Sequence, residues 1–188
     1  MSDDVLQQAR EALARAELIH DETAVNAAVR RMAAQISADL SELDPVILCA
    51  MNGGLLPTAM LMPHLLFPAK YDYLHATRYR ERTSGDELHW QRKPSQALEG
   101  RHLLIVDDIL DEGYTLEAIL HYCGIYNPAS VRSAVLVKKE HARGVRPPVD
   151  YIGLSVPDRY VFGCGMDFKG YWRNLPAIYA LPADMEGH

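Results

Sequence analysis

Residues Leu103–Leu116 read LLIVDDILDEGYTL, and this stretch decides the fold. Its first four residues, Leu103–Val106, are all apolar, which predicts a strand buried on both faces of a sheet. Its last two residues, Thr115 and Leu116, begin the segment Thr115–Gly124, whose pattern predicts a helix that ends at glycine. An acidic, glycine-containing turn therefore joins a buried strand to a helix.

The same strand–helix alternation extends through the middle of the chain. A helix is predicted at Leu55–Leu66, disturbed by Pro57 and Pro63. Further strands are predicted at Val46–Met51, 69–78, Val131–Lys138 and Tyr151–Val156. Alternating strands and helices predict an α/β fold with a mostly parallel sheet covered on both faces. At 188 residues the chain is expected to form a single domain.

Two regions outside this alternation have different characters. Residues 4–19 and 22–40 are predicted as two helices, the second capped by Asp21 or Thr23, and segment 1–44 is expected to serve packing. Residues 80–99 are polar and lack periodicity. A loop of that length in a compact domain is usually functional.

Composition limits the classes of function. The net charge is -6 and the pI is about 5.7, which argues against a protein that mainly coats nucleic acid or anionic membrane. No apolar run is long enough to span a bilayer, and the acidic start MSDDVLQQAR lacks the pattern of a secretory signal. The three cysteines are odd in number and widely spaced, as expected of reduced thiols. We therefore expect a cytoplasmic protein.

The turn after Val106 has the chemistry of a sugar-phosphate site. Gly113 permits a tight turn, and amides from Glu112 to Leu116 lie at a helix N-terminus, where an anion is favoured. Asp107 and Asp108 can accept hydrogen bonds from a ribose diol while the phosphate binds further along. The residues predicted to bind ribose 5-phosphate are Asp107, Asp108, Asp111, Glu112, Gly113, Tyr114 and Thr115.

Other loop chemistries fit this turn poorly. An EF-hand requires an oxygen ligand at its third position and glycine at its sixth, where this chain has Ile109 and Glu112. The phosphate-binding patterns GxxxxGK[ST] and GxGxxG are absent from the sequence. A solvated acidic loop is the remaining alternative, but two adjacent acids behind a buried strand favour a functional site.

The segment VDDILDEGYTL resembles the phosphoribosyl-diphosphate motif of type I phosphoribosyltransferases. Later segments resemble the hypoxanthine-guanine branch of that family, and the resemblance covers residues 45–182. The matching segments are Met51–Gly54, Val135–Lys139, Val156–Gly163 and Asp167–Arg173. The resemblance implies a type I phosphoribosyltransferase fold with a base-binding hood at 156–182 and a mobile lid loop at 78–95.

The implied reaction is one of purine salvage. It transfers 5-phosphoribosyl from phosphoribosyl diphosphate to N9 of hypoxanthine or guanine, and gives IMP or GMP and pyrophosphate. The family also implies a magnesium cofactor (Mg²⁺), with Asp167 on the metal side, and a homodimer or homotetramer. Magnesium suits oxygen ligands drawn from diphosphate, sugar hydroxyls and water.

Several roles for the purine base follow from the same resemblance. Asp111 matches the catalytic aspartate beside N7 of the base, and Lys138 matches the lysine that donates to the 6-oxo group. Lys138 and Lys139 as solvated strand-end charges remain the alternative. Tyr160 matches the aromatic side chain that stacks on the base, although a buried aromatic ring is more often core. Val161 matches the residue whose backbone meets the 2-position.

The diphosphate side is expected to involve Asn52, Gly53 and Arg173. Arginine suits a bidentate contact with oxyanions. Asn52 departs from the family, in which a lysine or arginine is usual, so a backbone contact is expected there without a side-chain charge. The family's serine–tyrosine pair in the lid is here Arg78-Tyr79. The nearby arginines either grip diphosphate or are solvated.

Two other functions stay open at this point. One is a regulatory protein of the same fold that binds nucleotide and RNA, which requires a basic face; Arg78, Arg80, Arg82, Arg92 and Lys93 would supply it. The other is a transferase with a different base preference, either xanthine or a pyrimidine. The acidic net charge favours small-molecule partners, with no nucleic acid or membrane.

Overall fold

The structure, a computed structural model, describes residues 2–78 and 88–186. The chain starts with helix α1 (Ser2–Arg15), strand β1 (Glu17–His20) and helix α2 (Glu22–Leu40). Asp21 caps α2, since its side chain accepts a hydrogen bond of 2.8 Å from the Ala24 amide. The predicted first helix, 4–19, is therefore wrong at its end, where residues 17–20 form a strand.

A six-stranded sheet forms the centre of the molecule, in the order β4-β3-β2-β5-β6-β7. Its strands are β2 (Val46–Met51), β3 (Lys70–Arg78), β4 (Leu88–Arg92), β5 (His102–Leu110), β6 (Ser130–Glu140) and β7 (Tyr151–Pro157). Only the pairing of β3 with the edge strand β4 is antiparallel among these described strands. The mostly parallel sheet confirms the predicted α/β class.

Helices cover both faces of this sheet. One buried core joins α2 and helix α3 (Leu55–Leu61) to one face, and a second core joins helix α4 (Tyr114–Gly124) to the other. The α-helix predicted to reach Leu66 ends at Leu61, and a 3-10 turn, Met62–His64, follows it. Pro63 explains this stop, since it lacks the amide that would continue the helix.

A smaller antiparallel sheet lies in the region expected to form the hood. Strand β9 (Ile178–Ala180) pairs with β1 on one side and with β8 (Val161–Phe162) on the other, in the order β1-β9-β8. Helix α1 packs below it, with Ala9 and Ala12 buried against Phe162 and Phe168. The N-terminal segment thus packs against this sheet and contributes one of its strands.

The expected lid region is only partly described. Arg78 ends β3, whereas Tyr79, Arg80 and Arg82 lie outside the described residues. The prediction of one continuous loop over 80–99 is wrong for Leu88–Arg92, which pair with β3. Within the described ranges, no helix has both the length and the apolar character needed to cross a membrane.

Candidate active site

The two adjacent acids lie at the carboxyl end of a central strand. Strand β5 continues four residues beyond the predicted Val106, so Asp107 and Asp108 belong to the strand itself. The Asp108 amide donates to Asp107 Oδ1 at 2.9 Å, and the Ile109 amide donates to Asp108 Oδ1 at 2.8 Å. These bonds fix both carboxylates at the edge of the sheet where ligands bind in α/β folds.

The environment of this pair disfavours two negative charges. Burial raises the pKa of Asp107 well above its usual value, and the neighbouring Asp108 raises it further. Burial also raises the pKa of Asp108, although the charge of Arg173 works in the opposite direction. Arg173 Nη1 lies 3.8 Å from Asp108 Oδ2. A ligand that brings hydroxyl donors or positive charge would satisfy such a pair.

The turn after β5 leads into a helix N-terminus that lacks a side-chain cap. Gly113 is the N-cap residue of α4, and its φ of 83° lies in the left-handed region that favours glycine. No side chain accepts a hydrogen bond at this cap. A helix N-terminus favours a bound anion, and the start of α4 lies where the sequence predicts one, near Thr115.

An open cavity of about 780 Å³ lies against this turn. Every residue of 107–116 borders it, together with Met51, Gly53, Arg143 and Arg173. The predicted ribose-phosphate residues are thus brought together around one space. It has the size range of a small-molecule site.

The turn after β2 forms another part of the cavity wall. The peptide bond between Met51 and Asn52 is cis, and Asn52 is exposed. Gly53 is buried so closely against Asp108 that a Cβ there would lie 2.6 Å from Asp108 Oδ1 and nearer still to Oδ2. The predicted diphosphate turn and the predicted ribose acid are therefore in direct contact.

Arg173 joins three parts of the site. Its Nη1 donates to the Gly165 carbonyl at 2.6 Å, and its Nη2 forms an ion pair with Asp167. Asp167 Oδ2 also accepts the Gly170 amide at 2.7 Å. Arg173 therefore lies at the cavity with Asp108 on one side and Asp167 on the other.

Asp111 is held by two cationic or donor side chains. Its Oδ2 lies 2.7 Å from Lys139 Nζ, and its Oδ1 lies 2.7 Å from His141 Nε2. Burial alone would raise the pKa of Asp111, but the hydrogen bonds from Lys139 and His141 bring it below its usual value. Asp111 is consequently an ionised acceptor whose side chain is still 41% exposed beside the cavity.

The predicted base-binding residues lie outside this border. Lys138 Nζ is 3.4 Å from Glu140 Oε1, and its neighbour Lys139 is the lysine beside Asp111. The Tyr160 hydroxyl donates to the Asp167 carbonyl at 3.0 Å, which ties Tyr160 to the segment of Asp167. Val161 is buried in β8, in the smaller sheet.

Sequence reasoning missed Lys139, His141 and Arg143 as parts of the site. Lys138 and Lys139 are adjacent in a strand, so they point to opposite faces, and the pattern does not tell which one meets Asp111. His141 and Arg143 follow β6 in a segment without a recognisable motif. The one available signal was their position just after a buried strand, where sheet folds place ligand contacts.

Comparison with known proteins agrees with this geometry. Residues 16–169 match the model of the phosphoribosyl transferase domain. The chain is 30% identical to a hypoxanthine-guanine-xanthine phosphoribosyltransferase of Tritrichomonas foetus, across 87% of this chain and 90% of that protein. A hypoxanthine-guanine phosphoribosyltransferase of Streptococcus pneumoniae is also 30% identical, with coverages of 88% and 92%.

A solved structure extends the similarity to the backbone. The hypoxanthine phosphoribosyl transferase of Trypanosoma cruzi is 26% identical and superposes with a TM-score of 0.83, over 89% of this chain and 92% of that one. The family match, the fold and the acidic turn facing the cavity agree with one another, and the chain belongs to the phosphoribosyl transferase family.

Proposed function

We propose that this protein is a purine-salvage enzyme that transfers 5-phosphoribosyl from phosphoribosyl diphosphate to N9 of hypoxanthine or guanine. The observation that carries the proposal is one cavity bordered by Asp107, Asp108, Asp111 and the N-terminus of α4. These groups supply acceptors for a sugar diol, an acceptor for a base and donors for a phosphate. The relatives named for oxopurine substrates support the choice of base.

The sugar and its phosphate would be held by the β5–α4 turn. Asp107 and Asp108 accept from the ribose hydroxyls, which compensates the buried carboxyl pair. Amides and hydroxyl donors of residues 112–115, including Glu112, Gly113, Tyr114 and Thr115, bind the 5-phosphate at the helix N-terminus. The anomeric carbon would then lie between the base side and the diphosphate side of the cavity.

The base would be oriented by groups on two sides. Asp111 accepts a hydrogen bond from N7 of the purine and shares its proton as N9 becomes nucleophilic. Lys138 donates to the 6-oxo group, and Tyr160 and Val161 of the hood bind the ring and its 2-position. Tyr160 and Lys138 are held by Asp167 and Glu140, so base binding requires local movement of both side chains.

The diphosphate would bind near Arg173 and the backbone of Asn52 and Gly53. Arg173 already borders the cavity, and a guanidinium suits two phosphate oxygens at once. Arg78 and Tyr79 of the predicted lid would close over it and exclude water. Closure protects a sugar on which positive charge develops as the diphosphate leaves.

Magnesium fits the donor chemistry of this site if the substrate and water supply most of its ligands. Within the described ranges, no group of three or more histidine, cysteine or acidic side chains is arranged to hold a metal. Most ligands must therefore come from diphosphate, ribose hydroxyls and water, as magnesium prefers. Asp167, engaged with Arg173, would be the protein group on the metal side. When bound, magnesium neutralises charge on the departing diphosphate.

The RNA-binding alternative is not favoured by the described basic residues. Arg92 lies over the Tyr73 ring, with its guanidinium carbon 4.9 Å from the ring centroid, and Lys93 Nζ lies 5.6 Å from that of Tyr122. Both cations are engaged by aromatic rings on the protein's own surface. We propose small-molecule partners, a cytoplasmic location and assembly as a homodimer or homotetramer.

The test is a panel of initial rates. Hypoxanthine, guanine, xanthine, adenine and uracil are each supplied with phosphoribosyl diphosphate, with and without magnesium. We expect nucleotide from hypoxanthine or guanine, dependent on magnesium, with little from adenine or uracil. Nucleotide from xanthine alone would change the substrate assignment. Absence of product from every oxopurine, together with RNA retention at moderate salt, would replace the proposal by the regulatory alternative.

A further inference from the structure

Asp111 is contacted by a histidine that belongs to no predicted site motif. His141 lies just beyond strand β6, which ends at Glu140, and its side chain is only 4% exposed. Its Nε2 lies 2.7 Å from Asp111 Oδ1. A buried imidazole in contact with the acid that borders the cavity needs a physical explanation.

The hydrogen bonds of the ring fix its tautomer. His141 Nδ1 accepts the Arg143 amide at 3.1 Å, and Arg146 Nη2 also lies 3.1 Å from it. A nitrogen that accepts these donors carries no proton, so the proton of the neutral ring is on Nε2. The Nε2–H group therefore donates to Asp111.

The segment that carries His141 is joined to the β5–α4 turn at further points. The Val145 amide donates to the Glu112 carbonyl at 2.8 Å, and Arg146 Nη1 lies 3.3 Å from the Asp111 carbonyl. Segment 141–146 thus supports both the backbone and the side chain of Asp111. Lys139 approaches the other carboxylate oxygen from β6, and Arg143 adds positive potential nearby.

We propose that His141 is a positioning residue for Asp111 in phosphoribosyl transfer, an inference that rests on the proposed function. Its Nε2–H keeps the carboxylate plane turned toward the cavity. Each carboxylate oxygen has two acceptor sites, so Asp111 keeps its bonds to His141 and Lys139 while it accepts from the purine. His141 itself touches neither base nor sugar in this scheme.

Two substitutions of similar size separate positioning from packing. His141→Met fills the buried space without a donor, whereas His141→Gln retains an N–H near the place of Nε2. We expect His141→Met to lower kcat by roughly tenfold to a hundredfold, because misplacement of a catalytic group by about 1 Å has effects of that size. His141→Gln should recover most of kcat. The KM for phosphoribosyl diphosphate should stay within about twofold of wild type in both variants.

Control variants separate a failure of this inference from misfolding and from a failure of the proposed function. His64→Ala alters an exposed histidine outside the site and should leave the rates unchanged. If His141→Met does not fold, His141→Asn replaces it, since its shorter amide does not reach Asp111. Equal rates for wild type and the donor-free variant would overturn the inference, as would equal losses in both variants with a raised KM. If wild type is inactive with every base, the proposed function itself fails.

Nuclear magnetic resonance tests the hydrogen bond without any substrate. In protein with nitrogen-15-labelled histidine, the His141 signal is identified by its loss in His141→Gln. We expect the ring to carry its proton on Nε2, with Nδ1 unprotonated, and an altered Nε2 shift in Asp111→Ala. A ring protonated on Nδ1 alone would contradict the inference, whatever the activity measurements give.

Discussion

Gly53 lies directly against the Asp108 carboxylate, so that a Cβ at residue 53 would lie 2.6 Å from Asp108 Oδ1 and overlap Oδ2. Gly53→Ala must therefore displace a side chain predicted to bind the ribose diol. We expect turnover to fall by about a hundredfold. The fold should change little, by about 1 kcal/mol in the free energy of unfolding, because a side chain can move where backbone cannot.

Gly54→Ala is the matched control for this contact. A Cβ at Gly54 would lie 2.7 Å from the Ala50 carbonyl oxygen and closer to that of Val106, and both belong to the sheet. We expect a loss of about 2–3 kcal/mol in urea unfolding. If Gly53→Ala were as destabilising as Gly54→Ala, damage to the fold would explain its loss of turnover. If Gly53→Ala were fully active, the contact between Gly53 and Asp108 would not matter for catalysis.

Asp111→Asn tests the acid beside the base. Loss of the charge removes the acceptor that shares the N7 proton, so kcat should fall by about 10² to 10⁴. Phosphoribosyl diphosphate should still bind, since Asp107, Asp108 and the start of α4 are unchanged, and calorimetric titration measures this directly. Near-normal turnover would remove Asp111 from the mechanism.

Lys138→Met and Lys139→Met separate the roles of two adjacent lysines. Lys138 is proposed to donate to the 6-oxo group, so its loss should raise the KM of hypoxanthine and guanine by about tenfold or more. Lys139 is bound to Asp111, so its loss should instead lower kcat for every base. Equal weakening of all bases in Lys138→Met would count against base recognition by that residue.

The adjacent acids Asp107 and Asp108 predict an unusual dependence of stability on pH. The pKa of Asp107 is raised in the folded state, so its contribution to stability is complete below about pH 3.8, the ordinary value, and is lost as pH rises through the raised folded value. Asp107→Asn removes this titration while its side-chain oxygen can still accept the Asp108 amide. We expect the variant to be more stable than wild type at pH 7.

Urea unfolding at several pH values checks this sign. The difference between Asp107→Asn and wild type should shrink as pH falls from 7 towards 4, since both proteins then lack the buried charge. Glu117→Gln, on the exposed surface of α4, is the control. A variant no more stable than wild type at pH 7 would mean that Arg173 compensates the pair fully.

Prediction from sequence was most successful where one residue pattern has one structural solution. The apolar run Val46–Met51 matches β2 at both ends, and the glycine at position 124 ends α4. Prediction from sequence failed where tertiary contacts override the local conformational preference. Glu17–His20 continues a helical pattern, yet it pairs with β9 in the smaller sheet. Leu88–Arg92 lies in a segment predicted as a loop, yet it pairs with β3.

The residues of the acidic turn could be assigned from sequence because they are contiguous. A strand, two acids, a left-handed glycine and a helix N-terminus occur within fourteen residues, so their relative placement follows from local geometry. The fold class could therefore be predicted from the residue pattern and the family from its resemblance to known motifs, whereas the sugar-phosphate site stays a proposal. The predicted hood, lid and metal-side roles remain predictions.

The sequence by itself determined the strand, the adjacent acids and the glycine turn of Leu103–Leu116, since those contacts are local. Only the tertiary structure decided that Gly53 meets Asp108, and that Lys139 and His141 hold Asp111. These contacts join residues 28 to 55 positions apart in the chain. Their partners are brought together by the order of strands in the sheet, which local pattern does not encode.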